Sequence, residues 1–419
     1  MKISEIKPQV WDMAVQAEER IRPRFARIDR VAEQNTRKVM EAFQEFRVSE
    51  SCFAGTTGYG YDDLGRETLD KIYARIFGAE AALVRLNFVN GTHALCASLF
   101  APVKPGNTIL AATGLPYDTL RTAIGISGEA HGSLAFYGVN YAQVDLSPAG
   151  GPDYEAIRRA AADKAVTAVL IQRSRGYEDR RALSVEEIGR ICALVHEVNP
   201  HANVMVDNCY GEFTDVLEPC DVGADLMAGS LIKNPGGGIA PTGGYVAGKA
   251  ELVERAAYRL TTPGIGGECG STLGSSRLLY QGIFLAPHTV AQALKTAVFC
   301  AAMMEALGYE TSPAVEEPRS DIIQMIRLRT GENMRKFCAG IQAGAPVDSY
   351  VTPEPWAMPG YDCPVIMAAG AFIQGSSIEL SADGPFRPPY ITYMQGGLTY
   401  ESGKLGILMA VSAMLDADQ

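Results

Sequence analysis

Asp225-Leu226-Met227-Ala228-Gly229-Ser230-Leu231-Ile232-Lys233-Asn234-Pro235-Gly236-Gly237 is the stretch on which the reading of this chain turns. A short apolar run ends in a serine, and a lysine follows on the loop with glycines beyond it. Upstream, Val204-Met205-Val206-Asp207-Asn208 is a second apolar run, closed by a carboxylate. Ligands in α/β sheets bind outside the carboxyl ends of the strands, so Asp207, Ser230 and Lys233 are expected on one edge of one sheet. A strand-end aspartate followed by serine and lysine on a second strand end is what a pyridoxal 5'-phosphate (PLP) site needs. The lysine forms a Schiff base, and the aspartate keeps the pyridine nitrogen protonated so that the ring takes up electrons. Burial is expected to depress the pKa of the lysine amine and free it for that bond.

Outward from this stretch, short apolar segments alternate with helical patterns. Strands are expected over 81–86, 108–112, 134–137, 165–172, 204–207, 226–228 and 244–247. Helices are expected between them, over 91–100, 117–124, 154–162 and 184–198. Such alternation predicts an α/β fold with a mostly parallel sheet and helices on both faces. Residues 8–46, with Val10, Met13, Ala14, Ala17, Val39, Ala42 and Phe43 at helical spacing, read as a helical arm. An alanine-rich helix over 274–307 leads into a last region with strands at 322–327 and 378–380 and a final helix over 404–415. The expected organisation is an arm over 1–50, a large PLP-binding domain over 51–290 and a small α+β domain over 291–419.

The bulk composition narrows the function classes. The chain has 419 residues, 47% hydrophobic and 20% charged, as in an ordinary globular protein. Its net charge of −11 opposes a nucleic-acid role, which relies on basic surface. No uncharged apolar run of membrane-spanning length and no signal peptide is read, so no membrane partner is expected. Nine scattered cysteines without a C-x-x-C pair read as reduced thiols of a cytoplasmic protein. Neither the cysteines nor the five histidines are spaced as metal ligands, so no metal is expected. The glycines after Lys233 are in the wrong order for a P-loop, and no G-x-G-x-x-G or G-x-S-x-G motif is present.

Other residues are candidates for the same site. Asn90-Gly91-Thr92-His93 opens a helix, where free N–H groups and the helix dipole favour an anion. His93 either stacks on a ring or fills a pocket. Tyr117 lies just beyond a strand end, placed to stack on a cofactor or to donate a proton. Arg173 and Arg175, in Gln172-Arg173-Ser174-Arg175-Gly176-Tyr177, and Arg387, in Gly384-Pro385-Phe386-Arg387-Pro388-Pro389-Tyr390, are candidates to clamp a carboxylate bidentately.

In this order, the residues resemble the fold-type I PLP enzymes of transsulfuration: cystathionine lyases, cystathionine synthase and methionine γ-lyase. The resemblance covers about 55–250. It implies an aspartate-aminotransferase-like fold, with Gly91-Thr92 and Ser230 at the phosphate, Tyr117 on the ring, and Asp207 and Lys233 as above. Three phrases look closer to the bacterial methionine γ-lyase family known as aluminium-resistance proteins, nearly end to end. They are Phe53-Ala54-Gly55-Thr56-Thr57-Gly58-Tyr59-Gly60-Tyr61-Asp62-Asp63, the 172–177 run, and Tyr393-Met394-Gln395-Gly396-Gly397-Leu398-Thr399-Tyr400. The chain departs from the transsulfuration pattern where that family has Tyr-x-Arg reaching into a neighbouring subunit. Here Tyr61, which the resemblance makes a candidate cofactor-binding residue, is followed by two aspartates, and the nearest arginine is Arg66.

The resemblance implies a carbon–sulfur lyase acting on a sulfur-containing amino acid, in a homodimer or homotetramer with shared active sites. Other reactions of PLP enzymes (aldol cleavage, transamination, replacement) use the same lysine and aspartate, and a non-catalytic PLP-fold protein is a further alternative.

Overall fold

The computed structural model describes residues 2–127, 131–358 and 363–415. In chain order its helices and strands are α1 (Pro8–Glu45), α2 (Leu64–Ile76), β1 (Ala81–Arg85), α3 (Gly91–Phe100), β2 (Thr108–Ala111), α4 (Asp118–Ile124), β3 (Asn140–Gln143), α5 (Tyr154–Ala161), β4 (Val166–Gln172), α6 (Val185–Val198), β5 (Asn203–Asp207), β6 (Leu226–Ser230), β7 (Gly244–Gly248), α7 (Ala250–Leu260), α8 (Ser276–Ala306), β8 (Glu310–Ser312), β9 (Ile323–Arg327), α9 (Gly331–Ala343), β10 (Val365–Ala368), β11 (Ser381–Pro385), β12 (Ile391–Gln395) and α10 (Tyr400–Leu415). The first sheet has seven strands in the order β1-β7-β6-β5-β4-β2-β3, the second five in the order β10-β11-β12-β9-β8. In the first sheet only β7 runs against its neighbours. The second is antiparallel throughout.

The strands of the first sheet are continuous apolar runs because both faces are covered, as expected for parallel sheets. Val204, Val206 and Met227 face the core that holds α2 and α6. Met205, Ala228 and Val246 face the core beneath α3 and α7. The carboxyl ends of β4, β5 and β6 come into line, with Gln172 opposite Asp207 and Asp207 opposite Ala228.

Helices α1 and α8 join the two sheets. Val39 and Ala42 of α1 lie in the core of the large sheet, while Val10, Ala14, Ala17 and Ile21 lie in that of the small one. Helix α8 makes the same transition between Leu294 and Ala297. By length and composition α8 could cross a membrane, but 72% of its most apolar window is buried inside the protein, which accounts for that composition.

Two expected strands are not found. Residues 134–137 form turns closed by the bond from the Tyr137 N–H to the Leu134 carbonyl. Leu134 is buried there, but Phe136 and Tyr137 are exposed, so this apolar run is a surface turn with one buried side chain and not a buried strand. The strand is the next segment, β3, an edge strand of polar residues pairing only with β2. Residues 378–380 likewise precede the strand: Ser381-Ala382-Asp383-Gly384-Pro385 reads as a turn, yet it is β11, paired on both sides. Pairing with two neighbours overrides that local preference.

Candidate active site

Lys233, on the loop after β6, is half-buried, with its Nζ 4.0 Å from the ring centroid of Tyr210. Asp207 closes β5, and its Oδ1 accepts a hydrogen bond from the Cys209 N–H at 3.1 Å. Burial alone would lower the Lys233 pKa, but Cys209, Tyr210, Asp207 and Glu212 around it outweigh that and hold it above the ordinary lysine value. The expectation of a depressed lysine pKa fails because the amine is buried beside acidic groups rather than alone. For Asp207 burial prevails, and its pKa is raised in spite of Lys233.

The opening of α3 comes up against the end of β6. A Cβ on Gly91 would stand 2.9 Å from the Ser230 Cβ, so the approach requires glycine. Asn90 caps the helix by accepting from the His93 N–H at 2.9 Å. This leaves the first N–H groups of α3 beside the Ser230 hydroxyl, a suitable cradle for a phosphate. The Thr92 hydroxyl is 3.0 Å from that of Thr119 on α4. The His93 ring packs edge-on against Phe88, its centroid 5.3 Å away, and its Nδ1 accepts from the Val89 N–H at 3.2 Å. His93 therefore locks the helix opening, and burial together with Arg259 of α7 lowers its pKa.

Tyr117 immediately precedes α4. Gly176, with φ +58°, brings the loop after β4 against its ring; a Cβ there would meet Tyr117 at 3.1 Å. Tyr177 stands alongside, ring centroids 6.4 Å apart. A cavity of about 200 Å³ opens here, lined by Tyr117, Gln172, Arg175, Tyr177 and Arg387 among others.

The three candidate arginines have different surroundings. Arg173 is fully buried and lies in a polar network: Nη1 donates to Asn208 Oδ1 at 2.8 Å and meets Glu218 Oε2 at 3.4 Å, and Nη2 donates to Thr214 at 3.1 Å. Arg175 is equally buried, lines the cavity, and donates from Nη2 to Ser312 at 3.1 Å, while its Nε and Nη1 have no partner among the described residues. Arg387 lines the same cavity but is exposed to solvent.

Tyr61 is 55% exposed and stacks on Tyr59, ring centroids 5.5 Å apart. Arg66 is buried, donating to the carbonyls of Gly60, Gly270 (3.0 Å) and Glu268 (3.1 Å). It pins the glycine-rich loop and is not extended outward. Tyr210 and Asp383, both coupled electrostatically to Lys233, escaped the sequence reading. Tyr210 directly follows Asp207-Asn208-Cys209, which was the available signal; Asp383 was hidden in a turn-like phrase. Among the described residues no cluster of His, Cys, Asp or Glu is placed to hold a metal.

These features fit PLP. There is an anion cradle at Gly91, Thr92 and Ser230, an aromatic wall at Tyr117, a carboxylate at Asp207 for a cationic ring nitrogen, and an amine at Lys233. Residues 10–415 match the methionine gamma-lyase family. A carbon-sulfur lyase involved in aluminum resistance from Clostridium novyi NT is 54% identical, with 97% of this chain and 96% of that chain covered and a TM-score of 0.94. An uncharacterized protein of Bacillus subtilis strain 168, YnbB, is 51% identical over 93% of this chain and 92% of its own. The PLP-dependent protein YhfS of Escherichia coli, only 18% identical, shares the fold over 92% of this chain and 96% of that one, with a TM-score of 0.62. The chain has the fold of the type I PLP enzymes and belongs to the methionine gamma-lyase family, with pyridoxal 5'-phosphate as its cofactor.

Proposed function

We propose that the protein is a carbon–sulfur lyase that eliminates a thiol from a sulfur-containing amino acid, leaving a 2-oxo acid and ammonia. The observation that carries this reading is Arg175. A fully buried guanidinium with two nitrogens unpaired among the described residues, lining a cavity with Tyr117, suits an amino-acid carboxylate held by charge-assisted hydrogen bonds. The 54% identity to a carbon-sulfur lyase supports the same class.

Bound in the cradle, PLP supplies the electron sink for the carbanion at Cα. The protein's own groups do the rest. Arg175 fixes the carboxylate, and Arg387 at the cavity mouth guides it in. Lys233 removes the α-proton once its amine is free. The C–S bond then breaks with its electron pair on sulfur, and the Tyr117 hydroxyl protonates the departing thiolate. Water completes the conversion to the oxo acid and ammonia. Positioned acid–base groups of this kind contribute roughly 10²–10⁴-fold.

The exposed, stacked Tyr59 and Tyr61 suit a contact with a second subunit, so a homodimer or homotetramer with shared sites belongs to the same proposal. The test is product analysis of the holoenzyme on a panel of thioether amino acids, with its mass followed by light scattering. The expected result is equal amounts of thiol, ammonia and 2-oxo acid from a dimer or tetramer. An oxo acid without ammonia means transamination and an aldehyde means aldol cleavage; either contradicts the reading, and a fully active monomer contradicts the shared site.

A further inference from the structure

The small sheet presents a polar face toward Lys233. Along β11, Ala382 points into the core packed by α9 and α10, so alternation puts Ser381 and Asp383 on the opposite face. Tyr393 and Gln395 of β12 stand opposite them in register, and Tyr393 packs with Tyr177 and Tyr210 of the large sheet's loops. Asp383 is only 6% exposed. Gln395 Nε2 donates to its Oδ2 at 3.3 Å and Tyr177 hydrogen-bonds the carboxyl. Among the described residues its Oδ1 has no partner, nor has the Ser381 hydroxyl.

Buried polar atoms are almost always paired, so an unpaired carboxylate oxygen on this face calls for a ligand group. On the lyase reading, on which this inference rests, the substrate's α-amino group joins the cofactor and its α-carboxylate takes Arg175. What remains is the far end of the side chain, beyond sulfur. Lys233 is the cation that acts on Asp383 in the protein alone, and that charge is lost when the amine becomes a neutral base. We propose that Asp383 is a specificity residue that binds a distal ammonium group, so that the enzyme prefers thioether amino acids whose sulfur substituent is cationic.

The preference should depend on pH. Burial pushes the Asp383 carboxyl up to about 7, against the Tyr177 hydrogen bond and Lys233. The groups facing it are Tyr177, Tyr210 and Lys233 from the large sheet's loops, Tyr393 and Gln395 from β12, and the Cys338 thiol of α9 behind the sheet. Burial raises the pKa of Tyr210, Tyr393 and Cys338, so these three stay neutral near pH 7. Asp383 is a carboxylate above that pH and a neutral acid below it.

S-(2-aminoethyl)-L-cysteine and S-propyl-L-cysteine have the same number of heavy atoms and differ only in a terminal ammonium or methyl. Their dissociation constants on the holoenzyme are measured by rapid-mixing absorbance of the bound cofactor, with kcat and KM where they turn over. At pH 8 the aminoethyl compound is expected to bind about tenfold tighter or more, the scale of a hydrogen bond to a charged group. The preference should shrink as pH falls to 6, and Asp383→Asn should bring the ratio to within about twofold. A wild-type protein with no preference at pH 8, a preference unchanged in the variant, or an equal fall in kcat on both compounds with KM unmoved would overturn the proposal. A pH-dependent binding preference without turnover of either compound would support the Asp383 assignment and contradict the lyase reading.

Discussion

Arg173 and Arg175 are separated by one residue at the end of the same strand, and both are completely buried. Their chemistry is opposite. Arg173 continues the face of β4 that carries Val169 and Ile171 and meets Glu218, Asn208 and Thr214 with its terminal nitrogens. Arg175 is on the cavity side with two nitrogens unpaired. Burial and motif are the same for both, so neither distinguishes a structural arginine from one built to bind. The accounting of partners does: both terminal nitrogens of Arg173 are bonded and its Nε alone is not, whereas Arg175 lacks partners at both Nε and Nη1 among the described residues; a bonded network stabilises the protein, and an open one awaits a ligand.

Removing each arginine should separate the two roles. The largest effect is expected from Arg173→Ala. It strands the buried Glu218 carboxylate, whose pKa burial already raises, and breaking one side of a buried pair costs about 3–5 kcal/mol. Denaturant unfolding measures it, and a loss below about 1 kcal/mol would mean the network is not closed. Arg175→Ala should cost less stability than Arg173→Ala, because its side chain donates only to Ser312 and acts on the buried Asp321 without a direct side-chain bond among the described residues. It should weaken the amino acid by roughly 10–100-fold in KM, the value of a charged hydrogen bond or two. Should Arg175→Ala unfold the protein while leaving KM unchanged, the contrast between the two arginines would be wrong.

Much of this was legible in the sequence where chemistry and strand pattern coincide. Asp207 and Ser230 end buried apolar strands and Lys233 follows on the loop, and their order located the sheet edge and the cofactor. Gly91 was legible as part of a helix opening, though its close approach to Ser230 was not. What the sequence hid depends on distant partners. Arg173 finds Glu218, and the Lys233 amine finds Asp207 and its neighbours, which reverses the expected direction of its pKa. Asp383 was obscured because Asp-Gly-Pro favours a turn, and only pairing with β10 and β12 makes it a strand facing the other sheet. The edge strand β3 was hidden for a different reason: pairing on one side only leaves little apolar signal.

The most direct test of the account is borohydride reduction of the PLP-loaded protein followed by peptide mapping. The account predicts a visible cofactor band that reduction abolishes, a single pyridoxyl adduct on Lys233, and loss of band, adduct and turnover in Lys233→Ala. An adduct on another lysine, or a colourless protein that takes up no added PLP, would contradict it.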